Sequence, residues 1–136
     1  MLDVSRSRDA HIERRLRGEP IIWLSGVRPD GRPHLVPVWF LWDGSSFLIF
    51  SQPNAQKVRN LRHNPQVMVA LEAIDEGEDV AIFEGRATLL DDPAITPLLP
   101  AYVEKYATLL QRIKSDPATM AASYTQAIRV IPTRLL

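Results

Sequence analysis

Apolar residues in this chain are grouped into short runs, most of them separated by turn-forming residues. Val, Ile, Leu, Phe and Trp dominate these runs, and this composition is typical of β-strands. Two of the connections, 28–31 and 43–44, contain a glycine that supplies the positive φ of a tight turn. The pattern predicts six strands, at residues 21–27, 34–42, 46–51, 67–73, 80–90 and 127–131.

Helical spacing of apolar residues is confined to the segments between and beside these strands. Ile12 and Leu16 lie four residues apart and predict a helix over 9–17. Val58 and Leu61 predict a second helix over 55–63, with Asn54 as its N-cap.

The stretch 91–126 is also helical in pattern, although four prolines interrupt it, at positions 93, 97, 100 and 117. Within it, helical spacing over 101–113 runs through Val103, Tyr106, Leu110 and Ile113.

Strands therefore dominate the predicted fold, and helices fill the breaks and one end. A long antiparallel sheet must protect its edges, and closing it into a barrel or a split barrel does so. A chain of 136 residues suits a single domain, here spanning residues 1–136.

Charge and composition narrow the classes of function. Lysine plus arginine and aspartate plus glutamate both number 16, and this balance argues against a nucleic acid or an anionic membrane as partner. There is no cysteine, and His11, His34 and His63 lack metal-ligand spacing, so we expect no metal site. The first residues do not resemble a signal peptide, and no apolar stretch is long enough to span a bilayer; a cytoplasmic protein is the expectation.

The segment 51–62 is the first candidate for chemistry. A strand ends at Ser51, a helix begins a few residues later, and Lys57 lies in its first turn. A helix N-terminus offers unpaired N–H groups and a positive dipole end, so a phosphate fits there and Lys57 adds a full charge. The alternative is a solvated basic helix face without a ligand.

The second candidate is the strand segment that contains Pro37. Proline has no N–H to donate to a sheet, so one side of this strand lacks a partner strand there. A flat heteroaromatic ligand can lie on such exposed backbone. The alternative is an edge strand in which the proline guards against aggregation.

Segments 31–40, 47–51 and 57–65, in this order, resemble the pyridoxamine 5'-phosphate oxidase-like split-barrel superfamily. Within it the chain is most similar to the branch that uses the deazaflavin coenzyme F420. The resemblance covers residues 9–90 closely and the C-terminal third loosely. It implies a mainly β (α+β) fold, a six-stranded antiparallel split β-barrel with a few peripheral helices. It also implies a homodimer with cofactor sites at the subunit interface.

The same resemblance implies which residues hold the cofactor. Backbone groups that line its ring belong to Val36, Pro37, Val38 and Trp39. Residues that hold its phosphate end are Phe50, Ser51, Gln56 and Lys57, with Asn60 and Arg62 as further candidates. A strand of the second subunit, residues 82–86, would complete the site.

The function implied is that of an oxidoreductase, which transfers a hydride between reduced coenzyme F420, or alternatively FMN, and a small organic acceptor. No side chain is required as a general acid or base, because the cofactor carries the hydride chemistry. The alternative is a non-catalytic module that binds flavin, deazaflavin or haem for storage, sensing or delivery. Residues 129–136 do not match the Arg/His/Trp segment with which true pyridoxamine-phosphate oxidases bind their substrate.

Overall fold

The computed structural model describes residues 2–90 and 99–136. Its α-helices are α1 (Ser7–Gly18), α2 (Gln56–His63), α3 (Leu99–Arg112) and α4 (Pro117–Ser123). Its strands are β1 (Ile22–Val27), β2 (Pro33–Val38), β3 (Leu41–Trp42), β4 (Phe47–Ser51), β5 (Gln66–Leu71), β6 (Ile82–Leu90) and β7 (Gln126–Leu135). A 3-10 helix, Asp75–Gly77, lies between β5 and β6.

The strands form one antiparallel sheet in the order β2-β1-β5-β6-β7-β4-β3. The two edge strands, β2 and β3, are separated in the sequence only by Trp39 and Phe40. One continuous stretch of chain therefore supplies both edges, and the sheet curls until they meet. This arrangement is a barrel with a split at Trp39 and Phe40, so the mainly β (α+β) split-barrel prediction is confirmed.

The prediction of six strands was wrong, because the single strand expected over 34–42 is divided into β2 and β3. Residues 35–42 form a continuous run without a polar side chain, which passes through the division and gives no sign of it. Phe40 is fully buried at this point, yet its backbone pairs with side chains of α3 instead of with a strand. Pro37 does lie on an edge strand, as its missing N–H predicted.

The strand predicted over 127–131 is also longer, because β7 continues to Leu135. Pro132 is tolerated inside it because it lies opposite Gly85 at a bulge, where the register between β6 and β7 shifts. The strand predicted from residue 80 begins at Ile82. Of the helical stretch predicted over 91–126, residues 91–98 with Pro93 and Pro97 lie outside the described residues, and the remainder forms α3 and α4.

Two hydrophobic clusters hold these elements together. The larger one fills the concave side of the sheet, where α1 contributes Ile12 and Leu16 and α2 contributes Val58 and Leu61. The smaller one lies between the outer side of the sheet and the helices α3 and α4. Strand β4 is buried on both faces as a result, since alternate residues enter different clusters.

Buried charge ties α1 to the connection between β5 and β6. The guanidinium of Arg15 donates hydrogen bonds to the carboxylate of Asp79 at 2.9 Å and to the carbonyl of Glu72 at 2.5 Å, and it pairs with Glu19. These partners compensate for the removal of Arg15 from water. Among the described helices, none combines the length and the apolar character needed to cross a membrane.

Candidate functional site

The split in the barrel is held by side chains of α3. The hydroxyl of Tyr106 accepts a hydrogen bond from the N–H of Phe40 at 2.7 Å. It lies 2.8 Å from the carbonyl oxygens of both Phe40 and Pro20, and its proton can be donated to either. The ammonium of Lys105 donates to the carbonyl of Phe40 at 2.7 Å. The backbone N–H and carbonyl of Phe40, which have no strand partner at the split, are thus satisfied by two consecutive residues of one helix.

Trp39, the other residue of the split, is fixed by the same helix. Its ring stacks on that of Tyr106, with a centroid separation of 4.4 Å and an interplanar angle of 2°. Tyr106 therefore positions Trp39 as well as Phe40.

A cavity of about 370 Å³ opens beside the split. This volume is near the lower end of the range for small-molecule sites. The wall is mostly aromatic and aliphatic, with a few hydroxyl groups, and Lys57 is the one charged side chain among the described residues that line it. The lining residues belong to β2, β4, α2, α3 and α4 or lie directly beside these elements or β1. They are Ile21, Pro37, Val38, Trp39, Phe50, Lys57, Tyr102, Leu110, Ile113, Ser115, Thr119, Met120, Ser123 and Tyr124.

Five of the eight residues predicted from the sequence line this cavity: Pro37, Val38, Trp39, Phe50 and Lys57. The other three lie close by in sequence but have side chains engaged elsewhere. Val36 packs against the larger core cluster, and the hydroxyl of Ser51 donates to the carbonyl of Gln52 at 2.8 Å. The amide of Gln56 donates to Asn60 and accepts from Arg59 within α2.

Lys57 lies between the cavity and a second space of about 10 Å³, the size of one water molecule. Burial lowers the pKa of its ammonium group, and within the described residues it forms no ion pair. Asn60, which is 1% exposed, also lines the small space, and its side-chain nitrogen has no hydrogen-bond partner there among the described groups. The amide of Asn60 therefore suits a single water molecule in the small space, whereas Lys57, which also lines the larger cavity, can meet an anionic ligand group there.

The start of α2 also offers unpaired N–H donors and no negative charge. The expected cap by Asn54 is wrong, because Ala55 is the N-cap and no side chain caps the helix. No acidic residue lies in its first turn. The pKa of His34 is lowered, mainly by burial and in addition by the positive charges of Arg28 and Lys57. The effect of these two charges shows that the local field is positive. The residues present therefore fit the phosphate group of a cofactor.

Sequence reasoning missed the wall that α3 and α4 contribute. Tyr102, Tyr106 and Leu110 are spaced by four residues and form the buried stripe of α3. The helical spacing predicted over 101–113 includes Tyr106 and Leu110 but not Tyr102. The stripe was readable from the sequence, but nothing in it showed that the helix covers the split.

Lys105 predicts a specific pH dependence of stability. Burial lowers the pKa of its ammonium from 10.5 to about 8, although Glu19 acts in the opposite direction and the ammonium lies 3.7 Å from the centroid of the Phe40 ring. The unfolded chain binds this proton more tightly than the folded one, so stability falls as pH decreases from 10.5 towards 8 and stays level below that.

We therefore expect the difference in unfolding free energy between the wild type and Lys105→Met to change in favour of the wild type as pH rises from 8 to 10. Urea titrations of both proteins at several pH values measure this difference. Other titrating groups, including the buried tyrosines, are common to both proteins and cancel. A difference that is constant across this range would contradict the prediction.

The curled antiparallel sheet, the split held by a helix and the cavity beside it define a split-barrel protein. The chain belongs to the pyridoxamine 5'-phosphate oxidase family, whose model matches residues 9–135. No protein with a curated description matches the sequence.

Solved structures show the same fold. The chain is similar to an F420 reductase at 26% identity and a TM-score of 0.66, with 89% of this chain and 93% of that chain covered. It is similar to HutZ, the haem storage protein from Vibrio cholerae, at 16% identity and a TM-score of 0.74, covering 93% and 92% of the two chains. An FAD-binding protein from Mesorhizobium loti matches at 18% identity and a TM-score of 0.70, covering 93% and 90%.

Proposed function

We propose that this protein is an oxidoreductase that uses coenzyme F420, with FMN as the alternative, and transfers a hydride to or from a small organic compound. The observation that carries the proposal is Lys57, a half-buried lysine without an ion-pair partner in the described structure, beside an uncapped helix N-terminus and an apolar cavity. The similarity to an F420 reductase favours the deazaflavin over FMN.

The residues that would hold such a cofactor divide into two groups. Lys57 and the first turn of α2 would bind its phosphate, because they offer a positive charge and free N–H donors. Pro37, Val38, Trp39 and Phe50 would line its ring with flat or apolar surface. The bound cofactor itself accepts and donates the hydride, so the protein's task is to position it and to keep water out of the apolar cavity.

A binding module for storage or delivery would need the same grip on the cofactor. For the haem version of this alternative, the described lining offers Met120, Tyr102 and Tyr124 as axial ligands but no histidine or cysteine. An enzyme also needs room for an acceptor, and the measurement of turnover separates the two functions.

The test is to offer F420, FMN and haem separately to the purified protein and to follow binding by fluorescence or absorbance. We expect F420 to bind most tightly and its reduced form to be oxidised when candidate acceptors are added. Much tighter binding of FMN would reverse the choice of cofactor. Tight binding without turnover of any acceptor would favour the binding module, and no binding of any of the three would overturn the proposal.

We propose further that the protein is a homodimer. Leu35 of β2 and Met68 of β5 are both paired with Ser25 of β1, so their side chains share the outer face of the sheet, where they are 61% and 37% exposed. Pro37 and Trp23 are paired on the same face, which therefore continues to the rim of the cavity. A second copy that covers this apolar face would lie next to the cofactor.

Light scattering coupled to size-exclusion chromatography tests this assembly. We expect twice the chain mass of 15.4 kDa. The double variant Leu35→Asp, Met68→Asp is expected to shift the mass towards the monomer. A wild-type monomer that binds cofactor normally would contradict the dimer.

A further inference from the structure

Tyr102 stands out among the buried polar groups of the cavity. It is 2% exposed and packs edge-on against Phe50, with a centroid separation of 4.6 Å. Its ring also contacts the tilted ring of Tyr106, at a centroid separation of 4.9 Å. Tyr106, one turn further along α3, uses its hydroxyl to bind the split. The hydroxyl of Tyr102 has no hydrogen-bond partner among residues 2–90 and 99–136, and the residue lines the cavity.

Tyr102 lines the cavity, and its hydroxyl, without a protein partner among the described residues, is left to hydrogen-bond to whatever fills the cavity, water or ligand. Burial and the neighbouring Tyr106 and Tyr124 raise the pKa of Tyr102 far above its usual range, so the group stays protonated at all physiological pH values. Its chemical role in the cavity is therefore that of a hydrogen-bond donor, and a ligand oxygen is the natural acceptor.

The charge of the cavity narrows the ligand further. In the described lining no carboxylate is present to pair with a cation. Lys57 is the one cation there, and in the proposed function it binds the cofactor phosphate. An acceptor compound in the same cavity therefore meets no further charged side chain among residues 2–90 and 99–136, and its neighbours are aromatic and aliphatic groups such as Trp39, Phe50, Leu110 and Met120.

We propose that Tyr102 is a specificity-determining residue that donates a hydrogen bond to the carbonyl-type oxygen of a small, flat, neutral acceptor compound. This inference rests on the proposed function for the role of the compound as acceptor. The walls of the cavity select for a flat apolar body, and the hydroxyl of Tyr102 selects for the oxygen. Tyr102 binds and orients the acceptor, and no proton transfer is assigned to it.

Two probes of nearly equal shape test the inference: 2-acetylnaphthalene, which carries a carbonyl oxygen, and 2-isopropylnaphthalene, which does not. Equilibrium dialysis measures their affinity for the full-length wild type, with and without saturating F420. The same measurements are made on Tyr102→Phe and on the control Tyr124→Phe, whose residue also lines the cavity but is 41% exposed at its rim. Thermal unfolding of each variant checks that it is folded.

We expect Tyr102→Phe to bind the ketone roughly tenfold more weakly, the effect of one lost hydrogen bond, and to bind the hydrocarbon as the wild type does. Tyr124→Phe is expected to leave both affinities unchanged. Equal ketone affinity in the wild type and Tyr102→Phe would overturn the inference, and so would an equal loss of both probes, which indicates a merely structural role. Displacement of the ketone by F420 would also overturn it, because Tyr102 would then belong to the cofactor site.

The cofactor titration is independent of these measurements. Failure of F420 and FMN to bind the wild type contradicts the proposed function, whereas the ratio of the two probe affinities bears on Tyr102 alone. The two failures are therefore distinguishable.

Discussion

Replacing Lys57 with methionine is expected to weaken F420 binding roughly ten- to a hundredfold, which corresponds to about 1–3 kcal/mol. The ammonium group would make a charge-assisted hydrogen bond to the phosphate, and methionine keeps the apolar stem while it removes the charge. The fold is expected to be at least as stable, because burial disfavours the charged form of Lys57 in the absence of a ligand.

Calorimetric titrations at low and high salt measure this effect. Salt should weaken wild-type binding more than variant binding, since the lost interaction is partly Coulombic and is screened. Arg62→Met is a matched control, because Arg62 is an exposed basic residue on the same helix and lines neither cavity. Equal affinity of the wild type and Lys57→Met at both salt concentrations would remove the phosphate site and most of the functional proposal.

Replacing Tyr106 with phenylalanine is expected to lower the unfolding free energy by about 2–3 kcal/mol. The change removes one oxygen atom and leaves the N–H of Phe40 without a partner in a residue that is 0% exposed. The ring on which Trp39 stacks remains, but the hydrogen bonds that fix its position are lost. F420 binding should therefore weaken as well.

Urea denaturation gives the free energy, and thermal denaturation should show a midpoint lower by roughly 10 °C. Tyr124→Phe removes the same atom from an exposed tyrosine and should leave stability nearly unchanged. A loss smaller than about 0.5 kcal/mol in Tyr106→Phe would show that the split is held by other contacts.

The elements that the sequence predicted well are those whose signal is local. Helix α1 follows from the spacing of Ile12 and Leu16, and α2 follows from that of Val58 and Leu61, because each pair must face the same core. The split could not be predicted in this way. Its stabilising partners, Tyr106 and Lys105, lie 66 and 65 residues further along the chain, and no pattern around Phe40 refers to them.

The residues of the candidate site also differ in whether the local sequence reveals them. Residues near Pro37 and Lys57 were found because proline in a strand and lysine at a helix start conflict with local preferences, and such conflicts mark functional positions. Tyr102 satisfies every local preference of a buried helical residue. Only the tertiary structure shows that this residue lines a cavity and that its hydroxyl has no protein partner among the described residues.

The position of β7 has a consequence for how the chain is made. It is the last of the seven described strands along the chain, yet it lies between β6 and β4 inside the sheet. Until residues 126–135 are made and paired, no strand joins β6 to β4, and each of these two strands exposes an unpaired edge. Such edges are templates for association between nascent chains. The sheet is therefore completed only when β7 inserts between β6 and β4, and until then a chaperone has these two edges to protect.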